Sequence, residues 1–174
     1  MMSEKLVKAL SEQMTREYYS AYLYHAMSAY AEGMGLSGIG HWLFMQTREE
    51  FAHGVNIYQY ILDRGALPIL GAIEVPPTSF NGIGELFKEI LAHEQKVSGY
   101  INEIASLALE EKDHACYQFI LWYVEEQVEE EASVREILDK LELIGSDSGL
   151  LLNLDNELGA RTFINPFPNN RKLA

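Results

Sequence analysis

Glu50 and His53 are the residues of this sequence whose types and spacing point most directly to chemistry. Leu43, Glu50 and Ile57 lie seven residues apart, which is the spacing of the buried seam of a helix. His53 follows Glu50 by one turn on the same side. The pattern therefore directs a carboxylate and an imidazole into the interior of a helical bundle. An unpaired charge is costly there, so we expect a positive partner for the carboxylate.

Three other seams also carry a polar residue in an apolar position. Glu17 interrupts the first helical pattern, Glu94 the third and Gln127 the fourth. Glu130 shares the face of Gln127. The basic residues nearest to these acids in sequence are Arg16, Arg48 and Lys96. With about 3.6 residues per turn, each lies about 100° or 200° around its helix from the neighbouring acid, so we expect the basic side chains to face away from the acids.

A pair of metal ions is the partner that best fits these acids. A single acid in a seam is more often a protonated or ion-paired core residue, but polar residues at matched depth in all four seams favour a shared site. Four acids are present when Glu130 is included; if ionised, they carry four negative charges, which two divalent ions would balance. Carboxylates with few imidazoles suit iron or manganese, and Glu-x-x-His on a helix is a known di-metal motif. The four acids are Glu17, Glu50, Glu94 and Glu130.

Four long helices and a short one are required to position this site. The periodic pattern predicts helices at 3–33, 37–64, 83–111, 113–144 and 148–160. Proline and glycine exclude a continuous helix over 65–82. That segment can reach about 60 Å, whereas a helix of about 27 residues is about 40 Å long. We therefore predict an all-α, up-down-down-up four-helix bundle, with a long crossover between helices 2 and 3 and a short fifth C-terminal helix.

The domain organisation follows from the same pattern. Residues 1–160 form one predicted domain, the bundle with its fifth helix, and residues 161–174 form an irregular C-terminal tail. The leucines of the fifth helix are Leu150, Leu151, Leu154 and Leu158. They share one face and need a partner surface, because so short a helix is not stable alone.

Composition favours cations as ligands. The 174 residues carry a formal charge of −13 at pH 7, which argues against nucleic acid as a partner and suits attraction of cations. The single cysteine, Cys116, excludes an internal disulfide and a cysteine-rich zinc or iron–sulfur site. No apolar run approaches the roughly 20 residues of a membrane span, and no signal-peptide pattern is present. We therefore expect a cytoplasmic protein without membrane partners.

Over residues 3 to about 160 the sequence resembles the bacterial non-haem ferritins. The resemblance rests on Glu17 and Tyr24 in the first helix, on Glu49-Glu50-x-x-His53, on the helix of Glu94, and on the segment QFILWYVEEQVEEE at 118–131. It implies iron storage and a ferroxidase activity with O2 or H2O2 as the oxidant. It also implies a homo-oligomeric hollow shell of 24 subunits.

The resemblance also implies a role for each candidate site residue. The first iron would be bound by Glu17, Glu50 and His53. The second would be bound by Glu50, Glu94 and Glu130, with Gln127 beside it. A third iron site would be formed by Glu49, Glu126 and Glu129, with Glu130 shared. Tyr24 matches a tyrosine beside the diiron centre, and Trp122 a nearby aromatic. Haem is not expected, because haem-binding relatives carry methionine where this chain has Phe51 and histidine where it has Glu130.

Three alternatives remain open from the sequence. One is a diiron oxidase of another substrate on the same fold, which the missing second Glu-x-x-His disfavours. Another is a DNA-protecting mini-ferritin, which the acidic charge and the fifth helix disfavour. The last is a structural cage without oxidase activity. Oxygen consumption driven by Fe(II) alone and the subunit number separate these proteins.

Overall fold

Five α-helices account for the regular structure in a computed structural model that describes residues 2–167 and residue 170. They are α1 (Glu4–Gly33), α2 (Ser37–Asp63), α3 (Ile83–Glu110), α4 (His114–Ile144) and α5 (Ser148–Leu158). The predicted all-α class and helix order are confirmed, with ends displaced by one or two residues. The tail is irregular from 161 to 167, and its residues 168–169 and 171–174 lie outside the described residues.

Side-chain caps and a glycine define several helix ends. The Ser3 hydroxyl accepts a hydrogen bond from the Leu6 N–H at 3.3 Å, and the Asp113 carboxylate accepts one from the Cys116 N–H at 3.0 Å. These oxygens accept hydrogen bonds from backbone N–H groups of the first helical turn, which have no carbonyl partner within the helix. Gly145 ends α4 with a φ of +57°, a conformation that glycine adopts without steric cost.

Contacts between helix ends establish the topology. The rings of Trp42 and Phe87, near the starts of α2 and α3, lie 5.7 Å apart, so these helices run parallel. Arg64 at the end of α2 contacts Asp113 at the start of α4 at 2.7 Å, so these two run antiparallel. The crossover follows α1: Ile69 N–H donates to the Ser11 hydroxyl at 3.0 Å, and the Tyr30 hydroxyl donates to the Phe80 carbonyl at 2.8 Å.

The bundle interior contains two apolar clusters with a polar layer between them. One cluster includes Leu43 and Phe87, and the other includes Ile57 and Ile101. Between these positions along the helices lie buried polar residues, among them Glu17, Gln46, Glu50, His53, Glu94, Gln127 and Glu130. The apolar clusters stabilise the fold, and they hold the polar layer at one depth. Within residues 2–167 and 170, no helix combines the length and apolarity required of a membrane span.

The fifth helix packs against the start of α2. Leu154 and Leu158 are buried there, whereas Leu150, expected on the same face, remains 48% exposed. The Asp155 carboxylate accepts a hydrogen bond from the Ile39 N–H at 2.7 Å. A Cβ atom at Gly38 would lie 1.8 Å from the Asp155 carbonyl oxygen, so this approach requires glycine.

Replacing Gly38 by alanine should therefore destabilise the protein by about 1–3 kcal/mol, as other overpacked sites do, because backbone must move to admit the methyl group. Chemical unfolding followed by circular dichroism measures the change. Gly99→Ala is the matched control: a Cβ at this helical position contacts nothing within 4 Å, so stability should rise by about 0.5–1 kcal/mol. Equal effects of both substitutions would contradict the packing of α5 on α2.

Candidate metal centre

Glu17, Glu50 and His53 meet at the centre of the polar layer. One ligand atom from each lies within 4.8 Å of the others, and each residue is 2% exposed. His53 Nδ1 is 3.9 Å from a Glu50 carboxylate oxygen, and His53 Nε2 is buried with no hydrogen-bond partner among residues 2–167 and 170. A metal ion between the three ligand atoms would satisfy these buried polar groups. The donor set of two carboxylates and one imidazole fits iron.

Burial strongly perturbs the protonation of these groups. Desolvation raises the pKa of Glu17 to about 7 and that of Glu130 to about 8. It also raises the pKa of Glu50 well above its usual value, and the neighbouring charges of Glu94, Glu17 and Glu130 add to this rise. Burial lowers the pKa of His53 to about 4. The imidazole is thus neutral at pH 7, as metal ligation requires, while the carboxyl groups retain protons that a cation would displace.

Glu94 is oriented by two side chains from other helices. The Tyr24 hydroxyl donates a hydrogen bond to Glu94 Oε1 at 2.6 Å. The Gln127 amide donates to Glu94 Oε2 at 3.1 Å and to the Glu94 backbone carbonyl at 3.1 Å. Hydrogen bonds of this kind fix the direction in which a ligating carboxylate points. They place the predicted residues Tyr24 and Gln127 against Glu94.

Two buried glutamines that sequence reasoning missed support the other acids. The Gln13 amide donates to Glu17 Oε1 at 2.8 Å, and the Gln46 amide donates to Glu130 Oε2 at 2.7 Å. Both glutamines are fully buried. Each lies four residues before a seam acid, Glu17 or Glu50, and therefore on the same helix face. That spacing is the signal that could have identified them.

The three acids of the predicted third iron site do not gather as the central group does. Among the described residues, they form no group in which three ligand atoms lie within 4.8 Å. Glu126 is half-buried and Glu129 is exposed. Glu49 forms an ion pair with Arg161, a residue for which no role was expected from the sequence. Of the bases expected to face away from the acids, Arg48 packs over the Phe163 ring, whereas Arg16 donates to the Gln13 amide oxygen at 3.3 Å and interacts with Glu17.

Comparison with known proteins identifies the family. Residues 7–144 match the family described as "Ferritin-like domain". The chain belongs to the ferritins. The bacterial non-heme ferritin of Staphylococcus aureus is 40% identical over 163 residues, which are 94% of this chain and 98% of the relative. The same name, identity and coverage apply to the relative from Staphylococcus epidermidis.

Solved ferritin structures share the whole fold. An open pore ferritin from the hyperthermophilic archaeon Archaeoglobus fulgidus is 42% identical, with a TM-score of 0.92 over 93% of this chain and 100% of the archaeal chain. An engineered closed form of the same ferritin is 43% identical, with a TM-score of 0.93 over 94% of this chain and 100% of that one.

An aromatic wall encloses one side of His53 in this ferritin. The rings of Trp122, Tyr123 and Phe167 lie 5.4, 5.9 and 6.1 Å from the imidazole. The Tyr123 hydroxyl donates to the His53 backbone carbonyl at 3.0 Å and accepts from the Asn56 amide at 3.1 Å. The wall fixes the position of the imidazole. Phe167 belongs to the tail, so the tail contributes to the surroundings of the centre.

Replacing Gln46 by leucine should weaken the binding of a second divalent ion by about 10- to 100-fold, the usual effect of removing a hydrogen bond to a metal ligand. The change leaves Glu130 without its amide donor and leaves Glu17, Glu50 and His53 intact. Anaerobic titration with Fe(II), analysed for two steps, measures it. The control is Gln59→Leu, because Gln59 lies on the same helix but pairs only with the exposed Asp63. If Gln46→Leu weakened the binding of the first and the second ion equally, Gln46 could not act through Glu130 alone.

Proposed function

We propose that this ferritin oxidises Fe(II) to Fe(III) at its buried carboxylate centre and stores the product as a ferric mineral. The observation that carries the proposal is the convergence of Glu17, Glu50 and His53, which are fully buried and each offer one ligand atom within 4.8 Å of the others. A ligand set dominated by carboxylates stabilises the harder Fe(III) ion relative to Fe(II). The centre therefore favours loss of an electron from iron.

The ligand assignment follows the arrangement of the acids. Glu50 and Glu94 each interact with the other three acids, and Glu50 also lies 3.9 Å from His53 Nδ1, which supports Glu50 as the bridge between two iron ions. Glu17 and His53 complete the first position, and Glu94 and Glu130 the second. Gln127 and Tyr24 act through Glu94, whose carboxylate they orient. Trp122 borders His53.

The reaction balances with two iron ions. Two Fe(II) ions supply two electrons, which together with two protons reduce O2 to H2O2, or reduce H2O2 to two water molecules. Fe(II) binding displaces protons from Glu17, Glu50 and Glu130, because metals bind the deprotonated ligands. The bundle thus exchanges protons for metal charge in its interior.

Assembly into a shell of 24 subunits is part of the proposal. Large apolar side chains remain exposed on the single chain, including Tyr22, Phe51 and Leu150. Tyr22 and Phe51 line an apolar cavity of about 720 Å³ on the α1–α2 face. Exposed apolar surface of this kind is typical of protein interfaces. Analytical ultracentrifugation distinguishes 24 subunits from the 12 of a mini-ferritin. The cytoplasmic location and the absence of haem stay predictions.

The function is tested by adding Fe(II) anaerobically to metal-free protein and then admitting O2 or H2O2. We expect oxidant consumption without any organic substrate, and iron that co-elutes with the protein in size-exclusion chromatography in far greater amount than the carboxylate centres can bind. Oxidation that needs an organic substrate would instead indicate a diiron oxidase on the same fold. Iron uptake no faster than with added albumin would indicate a cage without oxidase activity.

A further inference from the structure

Arg161 places a guanidinium beside the predicted third iron site. The residue follows α5, and its Nη2 contacts the Glu49 carboxylate on α2. The pair is largely shielded, with 24% of the Arg161 side chain and 17% of the Glu49 side chain exposed. The guanidinium also lies 4.8 Å from the centre of the Trp42 ring. Arg161 therefore occupies a built position and is not a freely moving surface side chain.

The position of Arg161 is reinforced from both sides. Its backbone carbonyl lies 2.8 Å from His41 Nε2 on α2, which anchors the chain where the tail begins. Its Nη1 is fully enclosed and has no hydrogen-bond partner within the part of the chain that the structure describes. An enclosed cation gains most from nearby carboxylates, because water screens it little.

The three acids of the predicted third iron site, Glu49, Glu126 and Glu129, are called the acidic cluster here. The guanidinium of Arg161 pairs with Glu49 and also interacts with the charge of Glu126. One positive charge thus offsets repulsion between acids that would otherwise face one another uncompensated.

A metal ion and the guanidinium compete for the same ligand. Arg161 pairs with one oxygen of the Glu49 carboxylate, so only the other oxygen is open to a metal ion while the pair holds. A metal ion on that oxygen would share one carboxylate with the guanidinium, and the two positive groups would repel each other. In the described residues the three acids are not gathered for a metal, as expected if the guanidinium holds Glu49.

We propose that Arg161 is the resident cation of the acidic cluster, and that Fe(II) binds there only by displacing the guanidinium from Glu49. The inference rests on the proposed function, since it concerns iron beside the oxidation centre. It makes Arg161 a positioning residue that keeps a third iron weakly bound and transient, while the two central positions bind tightly. The first residue of the tail thereby sets how long iron remains beside the centre.

The first test counts metal ions. Equilibrium dialysis against Zn2+, and anaerobically against Fe(II), should give two tight ions per subunit in the wild type. Arg161→Gln should retain these two and bind a third about tenfold or more tighter than the wild type, the change expected on losing one charged pair. Adding Glu49→Gln to this variant should abolish the gain. Lys140→Gln is the matched control: it removes the same charge from a residue that pairs with Glu136 and Glu157, and it should leave the third affinity unchanged.

The outcomes separate the two proposals. Fewer than two tight ions in the wild type would overturn the proposed function. Two tight ions in every variant, with equal third affinities in wild type and Arg161→Gln, would overturn the role of Arg161. An equal gain in Lys140→Gln would also overturn it, because total charge alone would then explain the effect.

A second test needs no variant. Wild-type crystals soaked anaerobically in high Fe(II) should show, by anomalous scattering, that any subunit with metal on Glu49 has Arg161 moved away from that carboxylate. Metal bound to Glu49 with the Arg161 pair still intact would overturn the inference. Metal at the central positions of the same crystals reports separately on the proposed function.

Discussion

Replacing Glu50 by glutamine should slow Fe(II) oxidation by about 100-fold or more, at or beyond the upper end of the effects seen for residues that only support a ligand. Glu50 interacts with Glu17, Glu94 and Glu130, and its carboxylate lies 3.9 Å from His53 Nδ1. Glutamine preserves its size but offers one neutral oxygen in place of a bridging carboxylate. Stopped-flow absorbance of Fe(III) after mixing with O2 measures the rate.

The same substitution should stabilise the metal-free protein at pH 7.5. Burial and the neighbouring acids raise the pKa of Glu50, so the folded chain must take up a proton there that the unfolded chain does not hold. Glutamine resembles the protonated form and removes this cost. Thermal unfolding in a chelator should show the gain at pH 7.5 and none at pH 4, where the unfolded carboxyl is also largely protonated.

Glu103→Gln is the control, since Glu103 is exposed on α3 and its replacement should alter neither rate nor stability. Loss of both activity and stability on Glu50→Gln would mean that Glu50 serves the fold. An unchanged oxidation rate would remove the centre from the reaction. A slower oxidation rate together with a more stable metal-free protein would show that the buried Glu50 carboxylate costs stability and is needed for the reaction.

The fold could be predicted because its signals are local. Seams with residues such as Leu43 and Ile57 at seven-residue spacing mark the helices, and Gly145 marks an end. The central acids could be predicted for the same reason: an acid in an apolar seam has to face the interior. The exposure of Leu150 on α5 could not be predicted, because which leucines are buried depends on how α5 meets α2 at Gly38.

The partners of the acids were less accessible to sequence reasoning. Gln13 and Gln46 are unremarkable polar residues until the acids they serve are located, although their four-residue spacing carries information. Arg161 pairs with a residue 112 positions away, and only the packing of α5 on α2 brings the two together. The bases that adjoin the acids in sequence are not the base that pairs with Glu49. That base lies in the chain that follows the last helix.

The metal-free protein should lose stability as the pH rises from about 6.5 to 8, contrary to the usual behaviour of proteins with paired carboxylates. Burial raises the pKa of Glu17 to about 7 and that of Glu130 to about 8. Below pH 4.5 each carboxyl group is protonated in both the folded and the unfolded chain. Above that pH only the folded chain keeps the proton. The stability present at low pH is therefore lost as the pH rises through the pKa that the group has in the folded chain.

His53 has the opposite sign over a lower window. Burial lowers its pKa from 6.5 to about 4, so its contribution to stability is present above pH 6.5 and is lost as the pH falls toward 4. It offsets part of the effect of the acids between pH 4.5 and 6.5. Above pH 6.5 the folded imidazole is neutral and the unfolded one becomes so, and the acids then dominate the slope.

Metal should reverse this pH dependence, because bound Fe(II) or Zn2+ requires the deprotonated ligands and stabilises only the folded chain. The gain in melting temperature from Zn2+ over a chelator should therefore increase between pH 6.5 and 8, by about 5 °C or more for a change of a few kcal/mol. Differential scanning calorimetry of the assembled protein measures it, with Glu17→Gln expected to flatten the metal-free profile and Glu103→Gln to leave it unchanged. A metal-free melting temperature that rises over this window would show that the acids are ionised and already paired, and the centre would then have no need of a metal.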